Sequence, residues 1–368
     1  MFEGRLGIIQ RVLPTYRVPF FQMLAGQCEG GLSLLSGQAR GGENIAEAET
    51  ISGVHWVQTK NLHLFKGKAY ACRQPGLTQW LIDWQPDVLI VEANPRYLST
   101  PRAVAWMHRH HKPVIGWGLG ARPSSGWFDR LSEPSRRHFI KQFDAMITYS
   151  KTGAHEYTQI GLDPQSIFVA VNAVTARPQK PAPQRPMVPQ GKVKVLFVGR
   201  LQARKRVENL IHACANLPTS LQPGLWIVGD GEERSRLEII AQKIYPATVF
   251  TGAKFGDELD DLFEQADLFV LPGTGGLAIQ QAMSHALPVI VAEADGTQGN
   301  LVKSQNGWQV SPGDLDALSN TLAEALRDIP RLRQMGVESY RMVNEEINLE
   351  AMVAVFLEAI HYAQGRVK

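Results

Sequence analysis

Cysteine is nearly absent: Cys28, Cys72 and Cys214 are the only three in 368 residues, far apart and without metal-ligand spacing. That argues against a zinc or disulfide framework and suits a reducing compartment. Long apolar runs are missing too. No stretch of about 18 apolar residues occurs, so no transmembrane helix is expected. The opening segment MFEGRLGIIQRVLP carries Glu3 and Arg5 inside a short apolar run. It has neither the basic start nor the cleavage site of a signal peptide, which predicts a cytoplasmic protein. No G-x-G-x-x-G follows the first strand-like run, which argues against a nicotinamide-dependent enzyme. No His-rich metal pattern appears, and Asp295 stands alone in ADGTQ. Neither sign of charge dominates, with 38 Lys+Arg against 35 Asp+Glu, so nucleic acid is not expected as the main partner.

The small excess is unevenly spread. Residues 1–175 hold 18 Lys+Arg and 13 Asp+Glu, or +5; residues 176–368 hold 20 and 22, or −2. A basic first half suits an anionic membrane or acceptor, at the inner membrane face. Hydrophobic content of 44% and charged content of 20% belong to a globular chain, and the length suggests two domains. Residues 177–191, RPQKPAPQRPMVPQG, hold five prolines and read as an extended, semi-rigid linker. The expected domains are residues 1–176 and 192–344, with a terminal amphipathic helix from about residue 345 through Leu349, Met352, Val353, Phe356 and Ile360.

Each half alternates short β-branched runs with helical patterns, which predicts parallel sheets covered by helices. The strand candidates are RLGIIQRV, GLSLLSG, DVLIVEA, KPVIGWG and DAMITYS, then KVKVLFVG, GLWIVGD, ATVFTGA, ADLFVLPG and LPVIVAE. Helices are expected at 205–216, 257–266 and 276–286. Two such α/β domains would face each other across a cleft at their strand ends, where ligands bind.

Two loops in the second half carry phosphate chemistry. After KVKVLFVG come Gly199, Arg200 and Lys205, two cations beside a helix start, suited to a diphosphate. After ADLFVLPG, the turn Gly273-Thr274-Gly275-Gly276-Leu277 opens a helix, with the Thr274 to Leu277 amides expected to face an anion. Two strand candidates intervene between these loops, and both should open on one sheet edge.

Together with Gly229-Asp230-Gly231, Phe250-Thr251-Gly252, Gln281-Ala282-Met283, Leu287-Pro288-Val289-Ile290, Asn306-Gly307 and Pro312-Gly313-Asp314, these loops resemble the donor domain of the retaining family-4 (group 1) glycosyltransferases. More loosely, Pro14 to Phe21 resembles an acceptor-side loop, and Trp117-Gly118-Leu119-Gly120 a Trp-Gly-His-Gly strand end. The resemblance implies the GT-B fold, two Rossmann-like domains with the terminal helix crossing back to the first. It implies hexosyl transfer from a UDP- or GDP-linked sugar to a saccharide or lipid-linked saccharide, without cofactor or metal. Arg200 and Lys205 would hold the diphosphate, with Gly199, Gly273, Thr274, Gly275, Gly276, Leu277 and Gln281 completing the donor site. Tyr16, Arg17, Trp117 and Leu119 would serve the acceptor.

Three positions depart from the pattern. The family's paired glutamates fall at Gly273 and Gln281, and its acceptor-site histidine at Leu119. Glu92, at a strand end beside Asn94, Arg96 and Tyr97, is the candidate substitute carboxylate, with Glu293 and Asp295 as lesser ones. A non-catalytic homologue that binds a nucleotide sugar or saccharide is the alternative reading. His108, His110, His111 and Lys112 read as a cationic helix end, not a metal site.

Overall fold

All ten strand candidates form strands in the computed structural model, which describes residues 1–366 apart from 42, 44, 66, 68–69, 122–126 and 294–297. The chain divides into two units, Met1–Val174 with Leu349–Lys368, and Thr175–Asn348. In the first unit, strands β1 (Leu6–Val12), β2 (Leu32–Gly37) and β3 (His55–Gln58) precede a short antiparallel pair, β4 (Leu62–Leu64) and β5 (Ala71–Arg73). Then come β6 (Val88–Glu92), β7 (Val114–Gly118), β8 (Ala145–Thr148) and β9 (Ile167–Val169). Seven of these form one parallel sheet in the order β3-β2-β1-β6-β7-β8-β9. The register sets Leu6, Gly7, Ile8 and Ile9 of β1 against Val88 to Val91 of β6. Helices cover both faces, so the central strands are apolar on both sides.

The terminal helix, Leu349–Arg366, belongs to this first unit. Leu349, Met352, Val353, Phe356, Ala359, Ile360 and Ala363 are buried against Phe20, Phe21, Trp117 and Ile147. Each large side chain so buried contributes about 1.5–3 kcal/mol, which makes the helix integral to the unit. It starts later than the residue-345 reading. Asn348 is buried, and its amide donates to the Val343 and Asn344 carbonyls at 2.8 and 3.0 Å. That caps the preceding helix, Ile329–Glu345, and separates the two.

The second unit has strands β10 (Lys194–Val198), β11 (Gly224–Val228), β12 (Thr248–Gly252), β13 (Leu268–Leu271), β14 (Val289–Ala292) and β15 (Gly307–Val310). They form one parallel sheet in the order β12-β11-β10-β13-β14-β15. The proline-rich segment packs on this unit. Arg185 donates to the carbonyls of Ala266, Phe263 and Ala286 at 2.6, 2.9 and 3.0 Å. Those carbonyls end two helices, where a cation is favoured. Arg333 donates to the Pro186 carbonyl at 3.0 Å. The segment is therefore a strap on the second unit.

Candidate functional site

In a doubly wound sheet, ligands collect at the carboxyl ends of the strands where the order reverses. In the second unit that point lies between β10 and β13. The two glycine-rich loops leave these two strands, so their adjacency follows from topology.

Lys205 ends a 3-10 turn, Ala203–Lys205, and Arg206 at φ 52° leads into the helix Val207–Ala215. Lys205 Nζ donates to the Thr274 carbonyl at 2.6 Å, and Arg204 donates to Thr274 Oγ1 at 3.1 Å. The Thr274 amide donates in turn to the Arg204 carbonyl at 3.1 Å. The two loops are thus laced together. Burial, with Arg204 alongside, pulls the Lys205 amine down to about 8. Among the described residues, none of Arg200, Arg204 and Lys205 forms an ion pair. A cluster of cations without a counter-charge is prepared for an anion.

The turn itself is cut close. A Cβ on Gly273 would sit 2.6 Å from the Lys205 carbonyl carbon. Gly275 has φ 149°, and a Cβ there would run into Lys205 Nζ. Both positions require glycine. Gly276 has φ −149°, extended backbone that other residues adopt, and caps the helix Leu277–Ser284. The expectation that the Thr274 amide faces an anion is corrected, since it is spent on Arg204. The amides of Gly275, Gly276 and Leu277 have no acceptor among the described residues and remain available. Gln281 is half-buried on that helix. Two further residues join the site. Arg204 adjoins Lys205 in sequence, and its letter alone does not distinguish it from Arg206 on the other side. Gln298 is buried and donates to the Gly275 carbonyl at 2.7 Å; its distance in sequence left no signal. Glu293 is exposed, and Asp295 lies outside the described residues.

In the first unit the order reverses between β1 and β6. Glu92 ends β6, mostly buried, and accepts from the Arg11 amide at 2.5 Å. Burial pushes its carboxyl up to about 7, against the pull of that amide and of Arg11 and Arg17. Arg11 is paired with Glu43 at 2.7 Å. Two acceptor-site expectations are corrected. Trp117 is 3% exposed, packed 4.9 Å from Phe356 and 5.8 Å from Phe20. Arg17 is 5% exposed, its guanidinium 4.9 Å from the Trp117 ring and 3.1 Å from the Tyr149 hydroxyl. Both were drawn inward by the aromatic core under the terminal helix. Tyr16 and Leu119 are exposed, at 41% and 68%. Arg200 and Lys205 belong to the second unit and Glu92 to the first. His108 pairs with Asp144 at 3.3 Å, and His110 Nδ1 donates to the Trp106 carbonyl of its own helix at 2.7 Å. Among the described residues no cluster suits a metal ion.

Residues 179–342 match the family model "Glycosyl transferases group 1". The matched residues all lie within the second unit, Thr175–Asn348. A GDP-mannose-dependent alpha-mannosyltransferase of Mycobacterium tuberculosis is 30% identical over 225 residues, 60% of this chain and 54% of that protein. The lipopolysaccharide core biosynthesis glycosyltransferase LpsE of Rhizobium meliloti is 23% identical over 76% of this chain and 87% of its own. The chain thus spans about half the length of the mannosyltransferases it matches. Among solved structures, Anabaena HepE in complex with UDP superposes with a TM-score of 0.72 at 16% identity, over 98% of this chain and 100% of that one. The lipopolysaccharide outer core galactosyltransferase WaaB, apo form, gives 0.70 at 16% identity, over 97% and 99%. The fold is that of the GT-B glycosyltransferases. Gly273 sets this domain apart from the pattern that the resemblance implies, because the Arg204–Lys205 backbone fills the space of a side chain there.

Proposed function

We propose that the protein is a glycosyltransferase. It moves a hexose-type unit from a UDP- or GDP-linked sugar to a hydroxyl of a saccharide or lipid-linked saccharide, with retention and without a metal ion. The reading is carried by the uncompensated Arg204 and Lys205 beside three open amides at the β10/β13 reversal. As the bond from the sugar to the diphosphate breaks, the departing nucleotide takes the electron pair. Preorganised cations and amides stabilise that charge, the task Mg²⁺ performs elsewhere. Arg200, exposed on the same loop, adds a third cation. Glu92 is the acceptor-side carboxylate, suited by its raised pKa to hold a proton near neutrality. Relatives in lipopolysaccharide core synthesis and mannosyl transfer support a saccharide acceptor. The basic first half supports peripheral contact with the anionic inner face of the cytoplasmic membrane.

The test is a thermal-shift series with GDP, UDP and their sugars in the presence of a chelator. Binding to the folded state raises the melting temperature by mass action. No shift with any nucleotide, or a shift that returns only with Mg²⁺, would overturn the proposal. Gly273 favours a second reading, a binding homologue without activity, since no side chain can reach a ligand from that position. Slow donor hydrolysis without acceptor separates the two: its presence supports the enzyme.

A further inference from the structure

A cavity of about 140 Å³ lies on the first unit, where β1, β2 and β3 end, and is walled by Leu13, Gly37, Gln38, Glu47, Trp56 and Gln58. Strand parity builds it. Trp56 and Gln58 are two apart on β3 and share one face, and the register sets them beside Leu34 and Ser36 of β2. Trp56 Nε1 donates to Ser36 Oγ at 2.8 Å, which fixes the ring. Past the end of β2, the Asn61 side-chain amide donates to the carbonyls of Arg11 and Gln38 at 2.7 Å each. A Cβ on Gly37 would run into the Asn61 side chain, so this brace requires glycine there. Residues 46–48 close the far side. The Ala48 amide donates to the Leu13 carbonyl and the Thr15 amide to the Ala46 carbonyl, both at 2.9 Å.

The lining identifies the kind of ligand. Trp56 is half-buried and offers an aromatic face, with buried Leu13 beside it. Gln38 and Gln58 are exposed, and neither side-chain amide has a partner among the described residues. Each can donate and accept at once. Glu47 Oε1 accepts from the Ala39 amide at 3.0 Å, which holds the carboxylate at the wall. Asn61 Oδ1, buried against Gly37, has no donor among the described residues, and a hydroxyl entering at Gly37 would supply one. Among the described residues no lysine or arginine lines the cavity and its one charge is negative, which disfavours a phosphate. Amides and a carboxylate around an aromatic plate suit a neutral ring with an apolar face and adjacent hydroxyls, which is a sugar. The space equals about four or five water molecules. It falls below the roughly 300 Å³ at which pockets for a whole ligand begin, so it takes one unit of a longer chain.

We propose that this cavity is a subsite for a second sugar of the acceptor, one unit back from the hydroxyl that is glycosylated. It deepens the transferase reading and rests on it for its purpose. Thr15, bonded to the segment that closes the cavity, precedes the exposed Tyr16. Arg11, whose amide holds Glu92, stands two residues before Leu13. A saccharide anchored on Trp56 therefore presents its next ring to the β1/β6 reversal. The acceptor is then at least a disaccharide, and a single sugar is a poor substitute for it.

The test is saturation-transfer NMR on the full chain. The probes are methyl glycosides of mannose, galactose, glucose and N-acetylglucosamine, and α-linked disaccharides of the first three. One disaccharide should receive saturation on both rings and bind at least about fivefold more tightly than its methyl glycoside. Gln58→Ala should lower that affinity about fivefold, and Glu47→Gln about tenfold. Trp56 also packs on the core, so Gln58→Ala, at an exposed position, decides even if a Trp56 variant folds poorly. In protein carrying 5-fluorotryptophan, the fluorine resonance that Trp56→Phe removes should move when the disaccharide is added. Wild-type protein that binds no sugar of the panel, affinity unchanged in both Gln58→Ala and Glu47→Gln, or a Trp56 resonance that stays in place would each overturn the proposal. If nucleotides raise the melting temperature while no sugar binds, the subsite fails and the transferase reading stands. If the disaccharide binds at Trp56 while no nucleotide does, the transferase reading fails and the cavity remains a saccharide site.

Discussion

The two sheet reversals treat charge in opposite ways. At β10/β13, Arg204 and Lys205 spend their hydrogen bonds on the neutral oxygens of Thr274 and keep their charge uncancelled. At β1/β6, Arg11 is neutralised by Glu43, Arg17 is enclosed by Tyr16, Trp117 and Tyr149 rings, and Glu92 is held partly protonated near neutrality. An excess of positive charge attracts a dianionic diphosphate. A balanced, partly protonated site suits a neutral hydroxyl that must be oriented and relieved of a proton. One topology, used twice, therefore yields two kinds of pocket edge, because the side chains on the reversal loops differ.

The sharpest way to break this contrast is to remove the half-buried cation, Lys205. Lys205→Ala should weaken nucleoside diphosphate binding by about 2–3 kcal/mol, the scale of a charge-assisted hydrogen bond. Arg200→Ala, at an exposed position, should cost about 1 kcal/mol. Arg17→Ala should lower the melting temperature and leave the affinity unchanged. Titration calorimetry decides, and equal losses from Arg17 and Lys205 would erase the distinction. The pH dependence follows from Lys205. Its amine is charged below about 8, and the anion favours the charged form, so affinity should fall as pH rises through 8. Lys205→Arg should flatten that fall.

Glu92 gives the next effect, in stability. Its carboxyl titrates near 7 in the fold, against about 4.3 unfolded. Between those values the folded state binds more protons than the unfolded one, so stability declines as pH rises through that window. Glu92→Gln should remove the decline, stabilising the protein by about 1–3 kcal/mol at pH 8. The gain should vanish near pH 4. Chemical denaturation at the two pH values measures it; a pH-independent difference would mean that the pKa of Glu92 does not change on folding.

Legibility varied with depth. Several of the ten strands read from sequence are continuous apolar runs, and β8, β13 and β14 are buried along their whole length, whereas β12 is half-buried with Val249 exposed. Those not read, β3, β4, β5, β9 and β15, are three or four residues long, and four of them are largely exposed or half-buried. The phosphate loop was visible as glycines and cations in order. Which glycine bears the positive φ was not, because Gly275 and Gly276 are equivalent as letters and differ only in what Lys205 places beside them. Trp117 and Arg17 misled for a related reason. An aromatic and an arginine near a strand end suit a sugar site, yet they also suit a core, and the terminal helix that buries them lies more than 200 residues away in sequence.

The smallest expected effect is the finest test of the donor side. Gln280 and Gln281 are neighbours on the helix after the turn, but Gln280 is 1% exposed while Gln281 is half-buried. A side-chain amide offers one acceptor oxygen to a ribose, whereas a carboxylate offers two and bonds hydroxyls more strongly. Gln281→Glu should therefore leave nucleotide affinity equal or tighten it by up to about 1 kcal/mol, with the fold unchanged. Gln280→Glu should do the reverse, leaving the site alone and destabilising the unit, since a carboxylate there is buried in place of an amide. Calorimetry against UDP and GDP, run beside thermal melts, reads both variants. If Gln281→Glu abolishes binding in a folded protein, the ribose does not lie beside this helix. The charge contrast between the two reversals would then survive with the donor turned another way.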